Sequence, residues 1–157
     1  MRGATIRAGI AGELPYPLPT NAHARVTMRA NRRTDTSPER QLRSALHGLG
    51  YRFRKDLLLR VGGLKVHADI AFTSHRLAIF IDGCFWHRCP DHGLTPRSNA
   101  GYWGPKLEGN ARRDAMVTEA LTKNGWKVIR LWEHVDLADA ITEVVHWLPE
   151  KGSWLSG

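Results

Sequence analysis

Cysteine is nearly absent from this chain: only Cys84 and Cys89 occur in 157 residues. A disulfide-stapled fold is therefore excluded, although a single short-range disulfide between the two is conceivable. No apolar run approaches the roughly 20 residues that a membrane-crossing helix needs. An apolar secretory core is also missing near the N-terminus, so the expectation is a cytoplasmic protein without a membrane partner. Acidic residues are scarce as well. Fifteen Asp and Glu stand against 23 Lys and Arg, for a formal charge of +8 and a pI near 10.1. The first 50 residues hold eight Arg and three acids. Such a balance favours a phosphate-bearing partner and a salt-dependent affinity. On charge alone, a merely solvated basic surface is the competing reading.

The length suits one domain with a single core. Residues 1–24 read as a flexible tail, because Pro15, Pro17 and Pro19 alternate with Tyr16 and Leu18 and favour extended polyproline geometry. Residues 25–36 form a basic arm that contains Met28, Arg29 and Arg32. The domain proper spans 25–150, and 151–157 is a second tail. A helix is predicted from Ser37, as N-cap, and Pro38, at the first helical position, to Gly50. Tyr51–Leu58 reads as a strand and Gly62–Gly63 as a turn. A second strand covers Lys65–Phe72, with Val66, Ala68 and Ile70 on one face and His67 and Asp69 on the other. Arg76–Asp82 is a third strand, apolar enough to be buried on both faces. Residues 83–104 read as loop. A helix from about Pro105 to Asn124, a strand Trp126–Trp132 and a helix Asp136–Leu148 complete an α/β layout, a mixed central sheet flanked by helices.

The most informative segment is Gly83-Cys-Phe-Trp-His-Arg-Cys-Pro-Asp-His92. It crowds two Cys, two His and two large aromatics into ten residues, between a strand and a loop that Pro and Gly keep irregular. Thiolates and imidazoles at this spacing suit a tetrahedral zinc site that staples the loop. Upstream, Asp69 is a strand carboxylate that needs a partner, a cation or water. Asp82 ends the buried strand, from which it could reach the same cation or orient His87. His87 titrates near working pH and suits general-base work; a zinc-ligand or plain loop role competes. Glu39 falls in the first turn of the first helix, where the helix dipole alone would account for it. Leu107, Asn110, Asp114, Val117 and Leu121 share one helical face, so Asn110 and Asp114 turn inward. Lys106, Arg112 and Arg113 are phosphate contacts or solvated charges.

The block Ile79-Phe-Ile-Asp-Gly-Cys-Phe-Trp-His87 resembles the very short patch repair endonucleases, DNA-nicking enzymes of T:G mismatches, over about Met28–Leu148. The resemblance implies a restriction-endonuclease-like fold with a zinc-stabilised loop, catalytic Mg²⁺ and structural Zn²⁺. It marks Asp69 as the Mg²⁺ ligand, His87 as the base and Glu39 as a supporting carboxylate. The best-known members carry Thr-His where this chain has Ile81-Asp82. A backbone carbonyl at Ile81 would serve Mg²⁺ as well as Thr would. Asp82 would then be a second Mg²⁺ ligand or the group that orients His87. Cys84, Cys89, His134 and either His92 or Asp91 would hold zinc. Phe85, Trp86 and Trp103 match aromatics that wedge into the duplex, with core packing as the plainer alternative. Met28, Arg29, Arg32 and Lys106 would contact DNA, and Asn110 and Asp114 would support the site. The implied partners are double-stranded DNA and a cytosine-5 methyltransferase system, the implied state a nucleoid-associated monomer. A nickase of a restriction or anti-phage system, and a non-catalytic zinc-bearing DNA-binding module, are the alternatives.

Overall fold

A computed structural model of the chain describes residues 35–93, 97 and 99–150. The expectations for the two tails, and for Met28, Arg29 and Arg32 of the arm, lie outside these residues. The described elements run α1 (Ser37–Gly48), β1 (Arg54–Val61), β2 (Leu64–Phe72), β3 (Leu77–Asp82), α2 (Ala100–Lys123), β4 (Lys127–Trp132) and α3 (Leu137–His146). The strands lie in the order β1-β2-β3-β4. The first two pairings are antiparallel, whereas β3 and β4 are parallel. The α/β reading with a mixed sheet therefore holds. A parallel pair needs a long crossover, and the zinc-candidate loop plus α2 supply it.

Two apolar layers sandwich the sheet. On one face, Leu42 and Leu46 of α1 and Ala140 and Val144 of α3 cover Ile70, Phe72, Leu77, Ile79, Ile129 and Leu131. On the other, Val117 and Leu121 of α2 cover Leu59, Val61, Ala68, Ala71, Ala78 and Phe80. Strand β3 alternates between the two layers, which explains its unbroken apolar run.

Four local readings are corrected. Helix α1 is capped by Thr36, so Ser37 and Pro38 fall one position deeper than expected. It ends at Gly48, and Gly50 follows with a φ of 83°. Strand β1 begins at Arg54, three residues late, while Tyr51 and Phe53 pack edge-on against Phe72. Helix α2 starts at Ala100, so Pro105 sits inside it and Trp103 is helical. Val66 and Ala68 pack toward α2 but Ile70 packs toward α1, so the three do not share a face. Strand β2 inverts its faces at Asp69. Opposite that point, between the Lys55–Ile70 and Leu57–Ala68 pairs, Asp56 has a φ of 46°. A paired irregularity of this kind re-aims a side chain, here the Asp69 carboxylate.

Candidate active site and metal-ligating loop

The functional candidates gather at the C-terminal end of β3. Beyond the Ile70–Ile79 pair, no further β2–β3 pair is formed. Asp69 fills the gap: its Oδ2 accepts the Ile81 amide at 2.7 Å. Burial pushes the Asp69 carboxyl up to about 6, and the charges of Glu39, Asp82 and Asp56 push the same way; the Ile81 amide opposes them. Among the described residues, no Lys, Arg or His pairs with Asp69. A half-buried carboxylate among other acids, at the open end of a strand pair, suits a hard cation such as Mg²⁺.

Glu39 is buried to 3% exposure, and its contacts are those of a helix cap. Its oxygens accept the Asp35 amide at 2.7 Å and the Thr36 hydroxyl at 3.0 Å, and Arg43 lies 3.5 Å away. The arrangement resembles a capping box, with the acid at the third helical position. Its influence on Asp69 is through charge.

Asp82 points to the opposite side, where α2 passes. It is 6% exposed, and Arg130 of β4 meets it with a fork: Nε to Oδ2 at 2.8 Å and Nη2 to Oδ1 at 3.0 Å. Asp114 accepts from the same Nη2 through Oδ1 at 2.8 Å. The other Asp114 oxygen is hydrogen-bonded to His87 Nδ1. Asp82 Oδ1 lies 3.8 Å from that nitrogen. Burial pulls the His87 pKa down, but the bond to Asp114 and the charges of Asp82 and Asp114 outweigh it, so the net shift is upward. With Nδ1 committed to Asp114, Nε2 is the ring nitrogen left to exchange a proton with a ligand.

One stripe of α2 organises this side. Asn110, one turn before Asp114, donates to the Trp86 carbonyl at 3.0 Å and so fixes the residue preceding His87. Thr118, one turn after, faces Arg130 Nη1 at 3.4 Å.

The loop after β3 is a succession of turns, closed by His87 N to Gly83 O, Cys89 N to Cys84 O and Gly93 N to Cys89 O at 2.8–3.1 Å. A side chain on Gly93 would bring Cβ within 2.5 Å of the Cys89 carbonyl, so the last turn needs glycine. Cys84, Cys89, His92 and His134 present their ligand atoms within 4.8 Å of one another. The Sγ–Nδ1 separations of 3.1, 3.7 and 3.9 Å bracket the ~3.6 Å that tetrahedral zinc coordination implies. Asp91 stays outside the group, 74% exposed and 3.9 Å from His134 Nε2. Burial pushes the Cys84 thiol up to about 11, with Cys89 beside it adding to the shift. Two buried thiols beside two imidazoles therefore fit a zinc ion, which would take them as thiolates.

Phe85, Trp86 and Trp103 form one edge-to-face cluster with centroids 5.1–5.7 Å apart. Phe85 and Trp86 are half-buried, whereas Trp103 is 6% exposed under them. Lys106 is half-buried one turn further along α2.

The roles of two further residues of the site appear only in the structure. Arg130 interrupts the apolar pattern of β4, and a buried Asp82 called for a cation on the neighbouring strand. Glu133 accepts the Cys84 amide at 2.9 Å and ties the zinc-candidate loop to the end of β4; the Trp132-Glu133 pair before His134 marks its place in the sequence but not this contact.

The sequence matches the family model described as DNA mismatch endonuclease Vsr over residues 18–91. It is 54% identical over 146 residues to the type II nicking enzyme V.NaeI of Lentzea aerocolonigenes, covering 92% of this chain and 88% of that protein. It is 42% identical over 113 residues to the type II nicking enzyme V.XorIIP of Xanthomonas oryzae pv. oryzae, covering 69% and 78%. Against the DNA mismatch endonuclease Vsr of Escherichia coli, identity is 33% over 107 residues, covering 68% and 66%.

Proposed function

The chain belongs to the DNA mismatch endonuclease Vsr family, and from that membership we propose that it nicks one strand of duplex DNA at T:G mismatches, the lesion left when 5-methylcytosine deaminates. Members are DNA endonucleases, so hydrolysis of a phosphodiester bond is the reaction to account for. The observation that carries the reading is the His87–Asp114 pair, joined through Asp82 and Ile81 to the cation-seeking Asp69.

Asp69 and the Ile81 carbonyl hold Mg²⁺ in this reading, and Mg²⁺ supplies charge neutralisation at the scissile phosphate. His87 takes the proton of the attacking water on Nε2, while its Nδ1 proton stays on the bond to Asp114. Asp114 offsets the positive charge that the ring then carries. Asp82, whose oxygens both face Arg130, orients His87 rather than binding Mg²⁺. Glu39 contributes by capping the helix beside Asp69 and by its charge. Zinc held by Cys84, Cys89, His92 and His134 fixes the loop that carries His87. Phe85 and Trp86, with Trp103 beneath them, stack beside the mismatch. Met28, Arg29, Arg32 and Lys106 contact the phosphate backbone. A monomer suffices to nick one strand. Nucleoid association and a cytosine-5 methyltransferase partner follow from the lesion.

The names of the relatives favour one second reading, a nickase of a restriction system that has no mismatch preference. Cleavage of end-labelled duplexes carrying T:G, U:G or a normal pair, with and without Mg²⁺, separates the two. Mg²⁺-dependent nicking of the T:G duplex over the paired control is expected. Equal nicking of all three rejects mismatch specificity, and no nicking of any rejects the activity.

A further inference from the structure

We propose that Arg130 is a positioning residue for nicking, which sets His87 through Asp114; the inference rests on the nuclease reading above. Its guanidinium bridges strand and helix. Nε and Nη2 hold both oxygens of Asp82 at the end of β3, and the same Nη2 holds Asp114 Oδ1 on α2. Nη1 faces Thr118 Oγ1, and the guanidinium lies 4.8 Å over the Phe80 ring. Each nitrogen therefore has a partner, and one face rests on an aromatic.

The consequence falls on Asp114. Its two oxygens are divided, one to Arg130 and one to His87 Nδ1. With Oδ1 held, the carboxylate cannot swing, and Oδ2 is presented to the imidazole in one orientation. Without Arg130, Asp114 is free to rotate about its side-chain bonds. Asp82, already 3.8 Å from Nδ1, would then compete for the ring. The ring's tilt, and with it the direction of Nε2, would no longer be fixed. Lysine could supply the charge but not the planar fork that reaches two carboxylates at once. Arg130 thus acts on the reaction through the two carboxylates it holds, Asp114 and Asp82.

The test compares the parent protein with Arg130→Lys, Arg130→Gln and the double variant Asp82→Asn/Arg130→Gln. Single-turnover nicking at saturating duplex with Mg²⁺ gives the rate, duplex titration without Mg²⁺ gives the affinity, and thermal melting reports the fold. A fourth readout is the downfield proton resonance of His87 Nδ1–H, assigned by its loss in His87→Ala. Arg130→Lys is expected to keep fold and duplex affinity, slow nicking by about 10–100-fold, and shift or lose the resonance. The double variant removes the buried carboxylate and its half-buried guanidinium together, so it keeps the fold should Arg130→Gln fail to do so. It is expected to be slow as well. A parental rate in folded Arg130→Lys and in the double variant overturns the proposal. A slowed rate with an unchanged resonance also overturns it, because the effect would not pass through His87. If the parent nicks no duplex, the nuclease reading fails instead, and the resonance alone still decides whether Arg130 sets the ring.

Discussion

Two neighbouring residues, Ile81 and Asp82, open onto sites of opposite electrostatic character. On the α2 side, Asp82, Asp114, Arg130 and His87 are closed on one another, and each carboxylate oxygen has a basic partner within 3.0 Å. On the α1 side, Asp69 has one amide for a partner and acids for neighbours, and its pKa rises to about 6. The first is organised before any ligand arrives. The second is unbalanced by about one positive charge, and that imbalance is itself an affinity for a cation. Orienting a base requires fixed partners, whereas capturing a metal requires a carboxylate left unpaired.

The strongest way to break the comparison is to remove the unbalanced charge. Asp69→Ala should reduce Mg²⁺-dependent nicking to background, while duplex binding persists. Asp69→Asn should do the same and stabilise the metal-free protein. The sign follows from the raised pKa. Between about pH 4 and 6 the folded state binds more protons at Asp69 than the unfolded chain, so stability falls as pH rises through that window. At pH 7 the variant should gain up to about 3 kcal/mol, with no gain near pH 4. Melting curves at the two pH values check this, and a less stable variant at pH 7 would contradict it.

The closed side should respond differently. His87→Ala should leave Mg²⁺ binding intact and lose about 10²–10⁴-fold in rate. Since the base must be neutral and its pKa is raised above 6.5, parental nicking should climb with pH through that raised value. His87 also contributes stability at low pH that is lost as pH rises through the same value.

Cys84→Ser and Cys89→Ser should each lose the roughly one zinc per chain expected of the parent, measured by metal analysis, and melt lower; full zinc retention in both would reject the site.

Asp82→Ala leaves the half-buried Arg130 with one carboxylate, Asp114, and should cost about 1–3 kcal/mol of stability, read from denaturant unfolding. Neither high Mg²⁺ nor Mn²⁺ should restore its nicking. Rescue by either would move Asp82 to the metal-binding side of the comparison.

The smallest effects belong to the aromatic cluster. Phe85→Ala and Trp86→Ala should weaken duplex binding by about 1–3 kcal/mol with modest change in stability. Trp103→Ala, buried beneath them, should chiefly destabilise the fold, as large-to-small core substitutions do.

Much of this was legible in the chain. The run Leu77–Asp82 announced a strand buried on both faces, and the cluster 83–92 announced a ligand loop, because both signals are local. His92 against Asp91 was open, since either side chain can ligate zinc and only the turn at Gly93 decides which faces inward. Pro105 reads as a helix start because proline favours first positions; the extra turn before it is held by Asn99, whose carbonyl accepts two amides. The face inversion at Asp69 depends on Asp56 across the strand pair. Arg130 acquires its meaning only when β4 lies parallel to β3 and α2 crosses both. Pairings at such separations leave no trace in local pattern.

One consequence concerns the Ile81 amide. Most strand amides bond to carbonyls, whose charge never changes. This one bonds to a carboxylate that gains a proton near pH 6 and that a divalent cation would draw upon. Its nitrogen and proton frequencies should therefore track the state of Asp69 directly. The backbone carries its own indicator, readable on intact, unmodified protein with no DNA present. A titration of that one amide cross-peak would register occupancy of the cation position before any strand is cut.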